Sequence, residues 1–204
     1  MIAAEEALTR LRDGNARFVA GQLTDQALSK RELRKLAADQ APFAIILGCS
    51  DSRVPAELVF DQGLGDLFVI RVAGNIVAPS QIGSIEFAVD AFGVPLVVVM
   101  GHTRCGAIAA AARHLQTGEP PVAGNVLSIT SRIRPIIEPV LATAGLADPL
   151  RAAMRANVLA SVAQLSHGSK LIERLVQADR LRVVGAEYEL ETGRVRFLEH
   201  GEPD

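Results

Sequence analysis

Three short β-prone runs most constrain the fold: FAIILG (43–48), which is uniformly apolar, DLFVIRVAG (66–74), which carries Asp66 and Arg71, and PLVVVMG (95–101). Runs of this length without polar alternation mark strands buried on both faces, which occur where helices cover each side of a parallel sheet. The segments between them carry helical periods and stop signals. EEALTRLRDGNARFVAG spaces its apolar residues at helical intervals and stops at Gly21, and KRELRKLAADQ reads as a second, more polar helix. The two form an N-terminal helical arm over about residues 1–38. VPAELVF predicts a short helix capped by Asp51 or Ser52, with Pro55 in its first turn. SQIGSIEFAVDAFG and the alanine-rich CGAIAAAARHLQTG, which ends at Gly118, supply further helices between strands.

Downstream, EPPVAGN is a loop, and Pro135 and Pro139 predict that SITSRIRPIIEPVLATAGLADP breaks into helical pieces. RAAMRANVLASVAQLSHGSKLIERLVQADR is helical with a bend near Gly168, and its small apolar residues suit packing on another subunit. LRVVGAEYEL and RVRFLEH, joined through Thr192 and Gly193, form a hairpin that sets the last strand antiparallel. The expected architecture is α/β: a mostly parallel central sheet of about five strands, its last strand an antiparallel edge, flanked by helices. One domain over residues 1–204 is expected, since 49% hydrophobic content over that length supports a substantial core.

Charge narrows the function classes. The formal net charge is -2 and no basic stripe is present, so a nucleic-acid partner is not expected. The longest apolar run, PLVVVM, is far too short to cross a membrane. Charges throughout the first twenty residues leave no secretory signal, and the two cysteines then fit a cytoplasmic setting. There, metal or catalytic roles outrank a disulfide.

Both cysteines lie where open α/β sheets bind ligands, at the carboxyl ends of strands. Cys49 ends the first strand, His102 follows the third, and Cys105 falls on the first turn of the next helix, facing the same point as His102. If the two strands are neighbours, two thiolates and one imidazole converge as a zinc ligand set with one open position. Asp51 is the only nearby carboxylate placed to fill it. Alone, each cysteine reads as a small buried hydrophobe and His102 as a hydrogen-bonded turn residue; the combination points to a metal. Phe68, Val72, Ala73 and Phe87 suit an apolar hollow for an uncharged, linear molecule, and equally suit ordinary core. Gly74 permits close backbone approach near the metal or marks a bulge. His114, His167 and His200 read as solvated, and none is assigned as a proton shuttle.

The chain resembles the β-class carbonic anhydrases over nearly its whole length. CSDSR and GHTRCGA resemble the family's two zinc motifs in order and separation, and LRDGNARF, GDLFVIRVAGN and GAEYELETGRV resemble other family segments. The resemblance implies one zinc ion per subunit on Cys49, His102 and Cys105, with Asp51 and Arg53 as the paired acid and base beside it. The activity it implies is reversible hydration of carbon dioxide to bicarbonate and a proton, by attack of zinc-bound hydroxide. In some members the aspartate ligates zinc in a closed, inactive state; an Arg53 guanidinium pairing with Asp51 draws it off the metal. Gln40 matches a glutamine that hydrogen-bonds substrate in plant-like members, and Ala73 an apolar pocket position. Phe87 stands where those members carry Tyr, which removes one hydroxyl contact. Ile46 stands where bicarbonate-regulated members carry Trp, so the chain resembles the plant-like type, although Arg71 and Tyr188 fall near the regulatory site's other positions. A homodimer or homotetramer, in which the dimer builds the site, is implied as well.

Two alternatives remain open in the residues. One is a carbon disulfide or carbonyl sulfide hydrolase on the same fold. The other is a structural zinc-binding module, which leaves Arg53 unexplained.

Overall fold

The first and third apolar runs become strands buried at every residue, whereas the second, at the sheet edge, is only partly covered and leaves Arg71 exposed. The computed structural model describes residues 2–24, 29–121 and 123–198. Strands β1 (Ala44–Gly48), β2 (Leu67–Arg71), β3 (Leu96–His102), β4 (Arg182–Tyr188) and β5 (Val195–Leu198) form one sheet in the order β2-β1-β3-β4-β5. The first four are mutually parallel, and β5 pairs antiparallel with β4. Along β1, Ile45 and Leu47 enter one core while Ala44 and Ile46 enter the other, all fully buried.

The Ile45 face is covered by α4 (Pro79–Phe92), α5 (Gly106–Thr117), α6 (Leu127–Leu141), α7 (Pro149–His167) and α8 (Lys170–Gln177). The Ile46 face is covered by α1 (Ala4–Val19) and the short α3 (Ala56–Val59). Between them α2 (Lys30–Ala38) buries no residue, and its start is closed by a capping box between Ser29 and Glu32. No helix among the described residues is long and apolar enough to cross a membrane.

Two polar residues fasten the α1 side. Asn15 is buried in α1; its Nδ2 donates to the carbonyls of Val59 (3.0 Å) and Gly193 (2.9 Å), and its Oδ1 accepts from the Val195 N–H (2.8 Å). Asp61, at φ 46°, accepts from Arg17 Nε at 2.5 Å and from both the N–H and the hydroxyl of Thr24. Across the sheet, buried Glu187 of β4 gives one carboxylate oxygen to Arg151 (2.5 Å) and the other to Arg155 (2.7 Å), tying α7 to β4.

Several local expectations need correction. Neither Asp51 nor Ser52 caps α3: Pro55 is its N-cap residue, and the Asp51 carboxylate is engaged by Arg53 instead. Cys105 is the N-cap of α5 rather than a member of its first turn. Pro135 and Pro139 do not break the chain into pieces, since both lie inside the continuous α6. They are four residues apart on the exposed face, opposite buried Ile133 and Ile137, so the carbonyls they leave unpaired face water. The bend near Gly168 is a full break, after which Ser169 caps α8. The inner face of α7, Ala153, Met154, Asn157, Val158, Ser161 and Leu165, is buried within its own chain, while Leu150 and Leu159 on the same helix stay exposed.

Candidate metal centre

Strand order places the site. The chain leaves β1 for β2 on one side and then returns to β3 on the other, so β1 and β3 flank a switch point, the place where open α/β sheets bind ligands at strand carboxyl ends. Cys49 directly follows β1, His102 is the last residue of β3, and Cys105 opens α5. Their ligand atoms lie within 4.8 Å of one another, and all three residues are buried.

The protonation pattern suits a cation. His102 Nδ1 is 2.9 Å from the Thr103 carbonyl, which only accepts, so Nδ1 carries the proton and Nε2 the lone pair. That Nε2 is buried with no hydrogen-bond partner. The Cys49 thiol is held well below its ordinary range, first by the Cys105 thiol and, against the effect of burial, by the Gly74 and Asp51 amides. Cys105 is pushed up by the Cys49 sulfur beside it and by burial, while the amides of Ala107 and Ile108 pull the other way. One negative charge on the pair therefore opposes a second, and a dication between the sulfurs removes that opposition. The donor set is a soft N/S set of the kind that zinc takes.

Asp51 and Arg53 stand at the rim. Arg53 Nε donates to Asp51 Oδ1 at 2.9 Å and Nη2 to Oδ2 at 2.7 Å, while the Arg53 N–H donates to Oδ1 at 3.0 Å. The Arg53 side chain is thus the main reason the Asp51 carboxyl sits far below the usual range. Asp51 Oδ2 is 3.9 Å from His102 Nε2, so it borders the space the cluster encloses. Arg71 was noticed in the sequence only for its place near a regulatory position. Its Nε donates to the Cys49 carbonyl (2.9 Å) and its Nη2 to the Asp51 carbonyl (2.5 Å), so it fixes the loop that carries both side chains.

The remaining candidates divide. Ala73 and Gly74 form a 3-10 turn with Asn75, and the Gly74 N–H donates to Cys49 Sγ at 3.3 Å. Gly74 is not a bulge but a left-handed position, at φ 71°. Phe68 pairs with Ile45, four residues short of Cys49 and so roughly 13 Å back along the strand direction. It meets Phe87 and Phe92 in a three-ring cluster with centroids about 6 Å apart, specifically 6.2, 6.2 and 5.9 Å. Phe87 is 58% exposed, and Gln40 lies beside Phe92 in a cleft of about 470 Å³ with Leu36 and Gly65. Neither Gln40, Phe68 nor Phe87 is hydrogen-bonded or ring-stacked to the cysteine–histidine cluster. Of the histidines, His114 sits against Arg134 and His167 against Glu173; His200 lies outside the described residues. Asn157, whose amide reaches the Gly74 carbonyl, was missed: its only sequence signal is an amide among small apolar residues.

This donor set at the switch point of such a sheet matches the β-class carbonic anhydrases. A family model described as carbonic anhydrase matches residues 44–195, and the chain is a member of that enzyme family. It is 43% identical over 192 residues to the carbonic anhydrase of Mycolicibacterium smegmatis, covering 93% of this chain and 91% of that protein. It is 40% identical over 193 residues to carbonic anhydrase 2 of Mycobacterium tuberculosis, covering 93% and 90%. Among solved structures, it resembles one from a study of two tetrameric β-carbonic anhydrases of Sordaria macrospora, at TM-score 0.73 and 26% identity over 98% of each chain. The Coccomyxa enzyme solved with acetazolamide is similar at TM-score 0.72 and 26% identity, over 97% of this chain and 87% of that one.

Proposed function

We propose that the chain hydrates carbon dioxide reversibly to bicarbonate and a proton, using one zinc ion per subunit held by Cys49, His102 and Cys105. The observation that carries this reading is the buried, partnerless Nε2 of His102 facing two sulfurs within 4.8 Å. Zinc, once bound there, supplies the Lewis acidity that makes water a nucleophile near neutral pH.

The chain's own residues do the rest. Arg53 occupies both oxygens of Asp51 and keeps that carboxylate out of the ligand set, so a position stays open for water. Asp51, charged and acceptor-only, takes a hydrogen bond from the attacking water oxygen and turns its lone pair toward the substrate carbon. The Ala73–Gly74 turn borders the cluster, with the Gly74 N–H on Cys49 Sγ.

We assign Gln40, Phe68 and Phe87 to the substrate side as contributions from a second copy of the chain. The exposed Phe87, backed by Phe68 and Phe92 and flanked by the Gln40 cleft, supports a homodimer seat on this face, and a homotetramer is consistent with the Sordaria macrospora relatives. Two free, buried cysteines fit a reducing, cytoplasmic location.

Metal analysis joined to stopped-flow hydration of carbon dioxide tests the reading. Arg53→Ala is expected to keep its zinc while turnover drops about 100-fold or more. Full activity in that variant would remove Asp51 and Arg53 from the mechanism, and a parent protein without zinc or activity would end the proposal.

A further inference from the structure

Helix α7 lies unusually close on the sheet. A Cβ at Gly101 of β3 would stand 2.6 Å from both Met154 Sδ and Val158 Cγ2, and one at Gly185 of β4 would stand 2.9 Å from Val158 Cγ1. That seat carries Asn157, 1% exposed, beneath the 73–75 turn. Its Nδ2 donates to the Gly74 carbonyl at 2.9 Å, and Ser161, one helical turn on, donates through Oγ to the Asn75 carbonyl at 3.4 Å. The two carbonyls belong to successive residues at positive φ, 71° and 44°. On its other side, Gly74 donates its N–H to Cys49 Sγ. The link from helix to sulfur therefore passes through one residue, and a glycine turns freely unless both of its peptide groups are held. Burying an amide in this seat costs desolvation that an apolar side chain avoids, and the bond to Gly74 offsets it.

We infer that Asn157 is a positioning residue for the metal centre: it fixes Gly74 so that the glycine N–H meets the Cys49 sulfur. Hydrogen bonds to a ligating group set its orientation and basicity, and their loss typically costs 10- to 100-fold in metal affinity. The inference rests on Cys49 being a metal ligand.

The test measures zinc affinity by chelator competition at one fixed pH, together with the thiolate-to-metal charge-transfer band of the cobalt-loaded protein. Asn157→Ala and the isosteric Asn157→Asp are each expected to bind zinc about 10- to 100-fold more weakly than the parent and to shift the band. Leu165→Ala, buried on the same helix, should lower thermal stability and leave both readings unchanged. Folded Asn157 variants within about twofold of the parent affinity, with an unshifted band, overturn the inference. Should neither variant fold, the parent loaded with NMR-active cadmium serves: a coupling between the metal and the Gly74 amide proton is expected, and its absence overturns the contact. A parent that takes up no metal at all sinks the metal-centre reading itself, a result distinct from the others, and takes this inference with it.

Discussion

At φ 71°, Gly74 occupies the left-handed region, and a Cβ there would meet Ile133 Cδ1 at 2.8 Å and Ala107 Cβ at 3.0 Å. Gly74→Ala should cost about 1–2 kcal/mol for the backbone conformation. Crowding against those two side chains adds about 1–3 kcal/mol. The expected result is a lower urea midpoint at unchanged slope, and an unchanged midpoint would mean that the turn relaxes freely. At this scale the sequence was informative where chemistry is local. Cys49, His102 and Cys105 each sit at or just past a strand end, so their convergence needed only that the two strands be neighbours, as they are. Asp51 and Arg53 are two residues apart, and their pairing is a short-range event. Asn157 acts on a carbonyl 83 positions away, and nothing in the spacing of an alanine-rich helix marks which face meets that turn.

Between elements, polar contacts rather than periodicity decide how the pieces are fastened. Asp61 joins the end of α1 to the residues after α3 through Arg17 and Thr24. Burial raises its carboxyl, but those bonds outweigh burial and hold it below the usual range. As pH falls, the unfolded carboxyl takes its proton first, so this contact's stability is full above about pH 4 and is lost as pH drops toward the lowered native value. Asp61→Asn keeps the left-handed backbone and loses the charge, at a cost of about 1–3 kcal/mol at neutral pH. Urea titrations at stepped pH should show the gap between parent and variant closing under acid, and a constant gap would assign it to shape alone. The sheet and the final hairpin were legible because buried parallel strands leave continuous apolar runs; the order of the strands was not, and came only with the fold. The course of α6 was not: a proline rule read along the sequence ignores that both prolines face solvent, where water takes the freed carbonyls.

For the whole molecule, the face bearing Phe87 carries the proposed homodimer seat. An aromatic in α4 reads as core in any one-dimensional pattern, yet Phe87 is 58% exposed and supported by Phe68 and Phe92. Phe87→Asp is expected to shift sedimentation toward the monomer and to abolish most turnover while zinc content holds; an unaltered oligomer would place the subunit contact elsewhere. The three hydrogen bonds of Asn15 carry a different consequence, one of timing. This side chain is made early, but its partners at Gly193 and Val195 emerge from the ribosome some 178 residues later. Until then those groups of the amide are left to water, and the first helix lacks two of the three bonds of Asn15 that fasten it in the finished fold. Messages truncated before the terminal hairpin should thus yield nascent chains with Leu8 and Leu11 poorly shielded, ready prey for chaperones and proteases.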